Sequence, residues 1–104
     1  MYSEKEILAQ IKTAIQEIVP DGKVYLFGSR ARGDWHEESD WDILVLTEKK
    51  YPKAIKWRIH DKLFSLSVSI GTVFQFIVAT EEEWEHHPGL YELYLGVKND
   101  LRTL

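Results

Sequence analysis

The chain has 104 residues, 44% of them hydrophobic and 29% charged, with a formal net charge of −4 and a pI of about 5.5. That length supports one core and no second one, so a single domain over 1–104 is expected. The acid excess argues against an extended nonspecific nucleic-acid surface, which needs Lys and Arg to neutralise phosphates, and the absence of cysteine removes disulfides, thiolate metal sites and thiol chemistry.

Ser3-Glu4-Lys5-Glu6 is a capping box, and Ile7, Leu8, Ile11, Ala14, Ile15 and Ile18 then recur at helical spacing. A first helix from about 4 to 18 is predicted. Pro20-Asp21-Gly22 stops it, and a strand is predicted over 23–27. Next come a Gly28-Ser29 turn, a short basic helix, and a second strand that opens with two carboxylates, Asp40-Trp41-Asp42-Ile43-Leu44-Val45-Leu46. Residues 48–52 read as a loop. Ile55, Ile59, Leu63 and Leu66 mark a second amphipathic helix ending near Gly71, a residue suited to a left-handed C-cap. A third strand is predicted over about 72–79. Thr80-Glu81-Glu82-Glu83 is another capping box and opens a short helix through Trp84, Pro88-Gly89 breaks it, and Leu90 to Val97 form the last helix. The sum is an α/β domain with about three strands. No apolar run approaches the length of a membrane span and Met1 to Glu6 carry no signal-peptide pattern, so a cytoplasmic location with no membrane contact is expected.

The segment from Gly28 to Asp42 carries the chemistry. Glycine at the turn lets backbone N–H groups approach a phosphate closely, and Ser29 adds a hydroxyl donor. The helix start that follows offers unpaired N–H groups and the positive end of a dipole, which suits a triphosphate, and Arg30 and Arg32 supplement that field. Strand side chains alternate faces, so Asp40 and Asp42 project to one side about 6.6 Å apart at Cα. Both carboxylates can then converge on Mg²⁺, with triphosphate oxygens and water completing the octahedron. Two such ions would stabilise the attacking and leaving oxygens of an in-line displacement. Trp41, between them, points the other way into the core. Gly-Ser and Asp-x-Asp at one fixed spacing arise by chance in very roughly one chain in a thousand of this size, so the pattern is informative.

These residues resemble the minimal nucleotidyltransferase domain of the DNA polymerase beta-like superfamily. The matching positions are Gly28-Ser29, Arg30-Ala31-Arg32-Gly33, Ser39 ahead of Asp40, and Asp40 and Asp42 entering the apolar strand. The resemblance implies a small mixed sheet with helices packed mainly on one face, Mg²⁺, and a nucleoside triphosphate such as ATP. It implies transfer of a nucleotidyl group, AMP when ATP is the donor, to a hydroxyl. Members this small are commonly encoded beside an all-helical HEPN partner as the antitoxin of a toxin–antitoxin pair, and some adenylylate that partner. The resemblance also implies a third carboxylate on a later strand. Here Thr72 to Ala79 contains no acid, and Gln75 is the nearest polar side chain.

Two functions therefore stand side by side. One is a magnesium-dependent nucleotidyltransferase with Gly28, Ser29, Arg30 and Arg32 on the nucleotide and Asp40 and Asp42 on the metal. The other is a nucleotide-binding antitoxin that acts by contact with a HEPN-type partner, for which the missing acid speaks. Asp34, Glu37 or Glu38 could replace that acid, and Trp35 either stacks on the base or packs on its loop. His86 and His87 lack ligand spacing and are read as surface residues; His36 either touches phosphate or is solvated on its loop, and His60 lies on the second helix with no visible partner. Trp57 and Trp84 are read as core or interface anchors. Because Ile43 to Leu46 are apolar on both faces, either the Leu44 and Leu46 face or the segment Tyr91, Leu93, Tyr94 and Leu95 is expected to meet another protein, a homo-oligomer included.

Overall fold

The computed structural model describes residues 2–34 and 39–104. Among these, α1 (Glu4–Ile18), β1 (Lys23–Phe27), α2 (Ser29–Arg32), β2 (Trp41–Thr47), α3 (Lys53–Ile70), β3 (Phe74–Thr80), α4 (Glu81–His86), α5 (Pro88–Val97) and β4 (Arg102–Thr103) follow in order. Both capping boxes form. The Ser3 hydroxyl accepts from Glu6 N at 3.1 Å and the Thr80 hydroxyl from Glu83 N at 3.0 Å, so each satisfies an N–H that its helix leaves open. Gly71 ends α3 at φ +84°, as its position predicts. α4 ends ahead of Pro88, with His87 extended, but Pro88 and Gly89 already belong to α5: Pro88 opens it at the first turn, where a missing N–H costs nothing, and His87 caps that turn by accepting from Gly89 N at 3.0 Å.

The strands form a mixed sheet in the order β3-β2-β1-β4. β1 runs antiparallel to β2, whereas β2 and β3 are parallel and joined by α3 as the crossover. The fourth strand is an addition to the three expected. Arg102 and Thr103 are too short to show periodicity, but they pair with Leu26 and Tyr25 on β1, and Arg102 meets Glu4 at 2.7 Å.

Each face of the sheet has its own core. Val24, Leu26, Trp41, Ile43 and Val45 pack with Ile7, Leu8, Ile11 and Ile15 of α1 and Ile59 and Leu63 of α3. Phe27, Leu44, Leu46 and Ala79 pack with Trp84 of α4 and Val97 of α5. The long helices thus share one face as expected, and the two short ones close the other. Leu44 and Leu46 are consequently buried inside the chain, which corrects the expectation that their face waits for a partner. Trp84 is core, whereas Trp57, Phe64 and Val68 on α3 stand exposed, as do Tyr91 and Leu95 on α5. No helix among the described residues is long and apolar enough to cross a membrane.

Ile43 is wholly buried in the central strand among α1 and α3 side chains. Ile43→Ala should therefore lower unfolding stability by about 2–5 kcal/mol in a denaturant titration, through lost burial and the cavity left behind.

Candidate functional site

The site is built where β1 turns into α2. Gly28 adopts φ +76° and ψ −159°, a region essentially confined to glycine. Its neighbour explains why no side chain fits. A Cβ on Gly28 would overlap Asp42 Oδ2 and come within 3.1 Å of Asp42 Cγ, so the acid occupies the space that a side chain would take. The Gly28 carbonyl accepts from the N–H groups of Ala31 and Arg32, both at 3.1 Å, and so starts α2 with Ser29 as its first residue.

Sheet register brings the acids to this turn. Phe27 is the antiparallel partner of Asp42, so the carboxylate arrives directly beside Gly28. Asp40 lies just ahead of β2. Trp41 separates the two acids and is buried in the α1–α3 core, as its place between them predicts. From the other neighbour, Gln75 is the parallel partner of Asp42, and its Nε2 donates to Asp40 Oδ2 at 2.7 Å. Gly28, Asp40, Asp42 and Gln75 therefore converge at one end of the sheet. Burial first, and then the negative charge of Asp40, push the Asp42 carboxyl above the ordinary aspartate range, and Arg32 partly opposes them.

The two arginines part company. Arg30 is buried, with its guanidinium 4.0 Å over the Trp41 ring and its Nε donating to the Ser39 carbonyl at 3.0 Å. Burial lowers its pKa, while Glu4 and Asp40 favour its charge. It braces the backbone that delivers Asp40. Arg32 is exposed, 3.4 Å from Asp34 and close enough to Asp42 to influence it. Lys49 and Lys50 follow the far end of β2, about 17 Å of strand from Asp42. Lys50 instead lies 4.0 Å from Glu83. Trp35, His36, Glu37 and Glu38 lie outside the described residues, so the readings placed on them do too. His60 meets the rings of Trp57 and Phe76. Among the described residues no cluster of three or more His, Cys, Asp or Glu could hold a metal. The acid pair stands with an amide as its third neighbour.

A cleft of about 500 Å³ lined by Tyr25, Trp84, Glu85, Tyr94 and Lys98 contains neither acid. What distinguishes the Gly28 end is converging charge beside an open backbone turn. The chemistry of the donors fits a divalent cation, since two carboxylates forced together and partly desolvated are stabilised by a positive ion between them.

Comparison with known proteins gives this geometry its class. Residues 8–102 match the family model described as a nucleotidyltransferase domain. The chain belongs to that family. It is 37% identical over 76 residues to MJ0604 of Methanocaldococcus jannaschii, a protein named as a candidate protein adenylyltransferase, with 67% of this chain and 71% of that one covered. It is 41% identical over 46 residues to MntA of Haemophilus influenzae, named a probable protein adenylyltransferase, covering 44% of this chain and 40% of the relative. The fold is shared with the crystal structure of a candidate nucleotidyltransferase at TM-score 0.66 and 22% identity, covering 93% and 96% of the two chains. It is shared with a toxin–antitoxin solved with AMP-PNP at TM-score 0.62 and 20% identity, covering 91% and 69%. A candidate minimal nucleotidyltransferase at 25% identity aligns with TM-score 0.55 over 89% and 90%.

Gly28→Ala should cost about 1–3 kcal/mol from backbone strain alone and displace Asp42 as well, measurable by chemical denaturation. The raised carboxyl has a pH signature. The folded chain holds the Asp42 proton more tightly than the unfolded chain, so this contribution to stability is present below the ordinary value of 3.8 and disappears as pH rises through the raised one. Metal-free Asp42→Asn should therefore melt above wild type at pH 7, with the gap closing toward acid. A lower melting point in calorimetry would contradict the assigned cost of burying that charge beside Asp40.

Proposed function

We propose that the chain is a magnesium-dependent adenylyltransferase that moves AMP from ATP to a hydroxyl on a partner protein and acts in the cytoplasm. The observation that carries this reading is the convergence of Asp40 and Asp42 beside the side-chain-free turn at Gly28. Family membership, adenylyltransferase names among relatives and AMP-PNP in a structural neighbour support ATP as donor.

Each residue has a physical task. Gly28 gives the phosphates access to backbone N–H groups and Ser29 adds its hydroxyl. Arg32 offsets phosphate charge from an exposed position, while Arg30 acts indirectly by holding Ser39. Asp40 and Asp42 would hold Mg²⁺, which when bound supplies charge neutralisation on the triphosphate. The acceptor hydroxyl oxygen attacks the α-phosphorus in line and loses its proton to solvent water, the bond from the α-phosphorus to the bridging oxygen breaks, and pyrophosphate leaves, with catalysis coming mainly from positioning and electrostatics. The acceptor is expected on an all-helical HEPN-type protein encoded alongside, as in toxin–antitoxin pairs.

Transfer of label from [α-³²P]ATP to that helical protein tests the reading. Asp40→Asn and Asp42→Asn should each lower the rate by at least about 10²-fold. Undiminished labelling by either variant would exclude the assigned roles. A second reading is favoured by Gln75, because an amide cannot take a proton from the acceptor: the chain binds Mg-ATP and restrains its partner by contact alone. Calorimetric binding of Mg-ATP with no label transfer, and neutralisation by the double asparagine variant, would support that alternative.

A further inference from the structure

Asp42 and Asp40 are restrained by different means. Asp42 lies within β2, is partly desolvated and rests against the bare backbone of Gly28. Asp40 precedes the strand, where the ladder that begins at Trp41 and Phe74 does not reach it. Its side chain therefore needs another anchor to face the same point as Asp42. Gln75 lies close to both acids, as the strand partner of one and at 2.7 Å from the other. The chemistry of the contact is one-sided: an ionised carboxylate only accepts, so the amide must present Nε2, and its N–H has no lone pair for a cation.

We propose that Gln75 is a positioning residue of the candidate metal site, its amide holding Asp40 Oδ2 so that the remaining lone pairs of that carboxylate are presented to a divalent cation. This inference rests on the metal-binding reading above. A carboxylate retains several acceptor sites after taking one hydrogen bond, so clamping one oxygen leaves the group able to ligate. The neutral amide also steadies the acid pair without adding a third negative charge to it. An outer partner of this kind sets ligand orientation, and losing it lowers metal affinity while the ligands themselves remain. Gln75 is exposed, so its removal leaves the cores untouched.

The experiment titrates Mn²⁺ as the probe into the full chain and follows free ion by electron paramagnetic resonance. Wild type, Gln75→Leu and Asp42→Asn are compared. Gln75→Leu should weaken Mn²⁺ binding about 10-fold with its melting midpoint within about 2 °C of wild type. Asp42→Asn should weaken it further. Independently of metal, the side-chain amide signals of Gln75, assigned by their loss in Gln75→Leu, should move in metal-free Asp40→Asn as the acceptor loses its charge. Wild-type affinity in Gln75→Leu alongside weakened Asp42→Asn would overturn the positioning role and leave the metal site standing. Wild-type affinity in Asp42→Asn would overturn both. Gln75 amide signals indifferent to Asp40→Asn would also overturn the clamp.

Discussion

Two like charges are forced together at one end of this sheet, and much of the structure serves to keep them there. Asp42 is delivered by its register against Phe27 and seated against Gly28. Asp40 is delivered by the chain that Arg30 braces through Ser39 and is held by Gln75 from the neighbouring strand. Left to themselves, two carboxylates this close would move apart or take up a proton. The fold prevents the first, while burial, and after it the charge of Asp40, raises the Asp42 carboxyl toward the second. A site that is electrostatically uncomfortable when bare is suited to a cation and polyphosphate arriving together.

The two-sided core explains how so small a chain sustains such a site. Ile11, Ile15, Ile59 and Leu63 are essentially sealed against one face of the central strands, and Trp84 and Val97 close the other. With apolar side chains of both faces buried, β2 has little freedom to slide. A one-residue slip would exchange Trp41 for the acids on the core face. The register that aligns Asp42 with Phe27 and Gln75 is thus the register that hydrophobic burial selects.

Much of this was legible in the sequence, for identifiable reasons. The capping boxes at Ser3 and Thr80, the punctuation at Gly71 and the alternation around Trp41 are local signals, and local structure followed them. The glycine turn and the acid pair are legible as residue types at a fixed spacing, and sheet register brings Asp42 beside Gly28. What remained hidden was tertiary. Arg30 reads as a phosphate ligand by charge, yet its guanidinium lies on Trp41, and only the fold brings those groups together. Leu44 and Leu46 read as an uncovered face because α4 and α5 are short and weakly periodic, though they suffice to close it. β4 is a pair of residues with no periodicity to detect, and the role of Pro88 depended on which side of it the helix lay.

The two borders of the sheet are unequal. On one side β4 contributes two residues, while on the other β3 runs for seven without a formal charge or a proline, the devices that ordinarily discourage further pairing. Any polypeptide that lengthened this sheet would find more purchase along Phe74–Thr80. That same border carries Gln75, so an added strand would run past the amide that touches Asp40, and docking there would be felt chemically a few ångströms away.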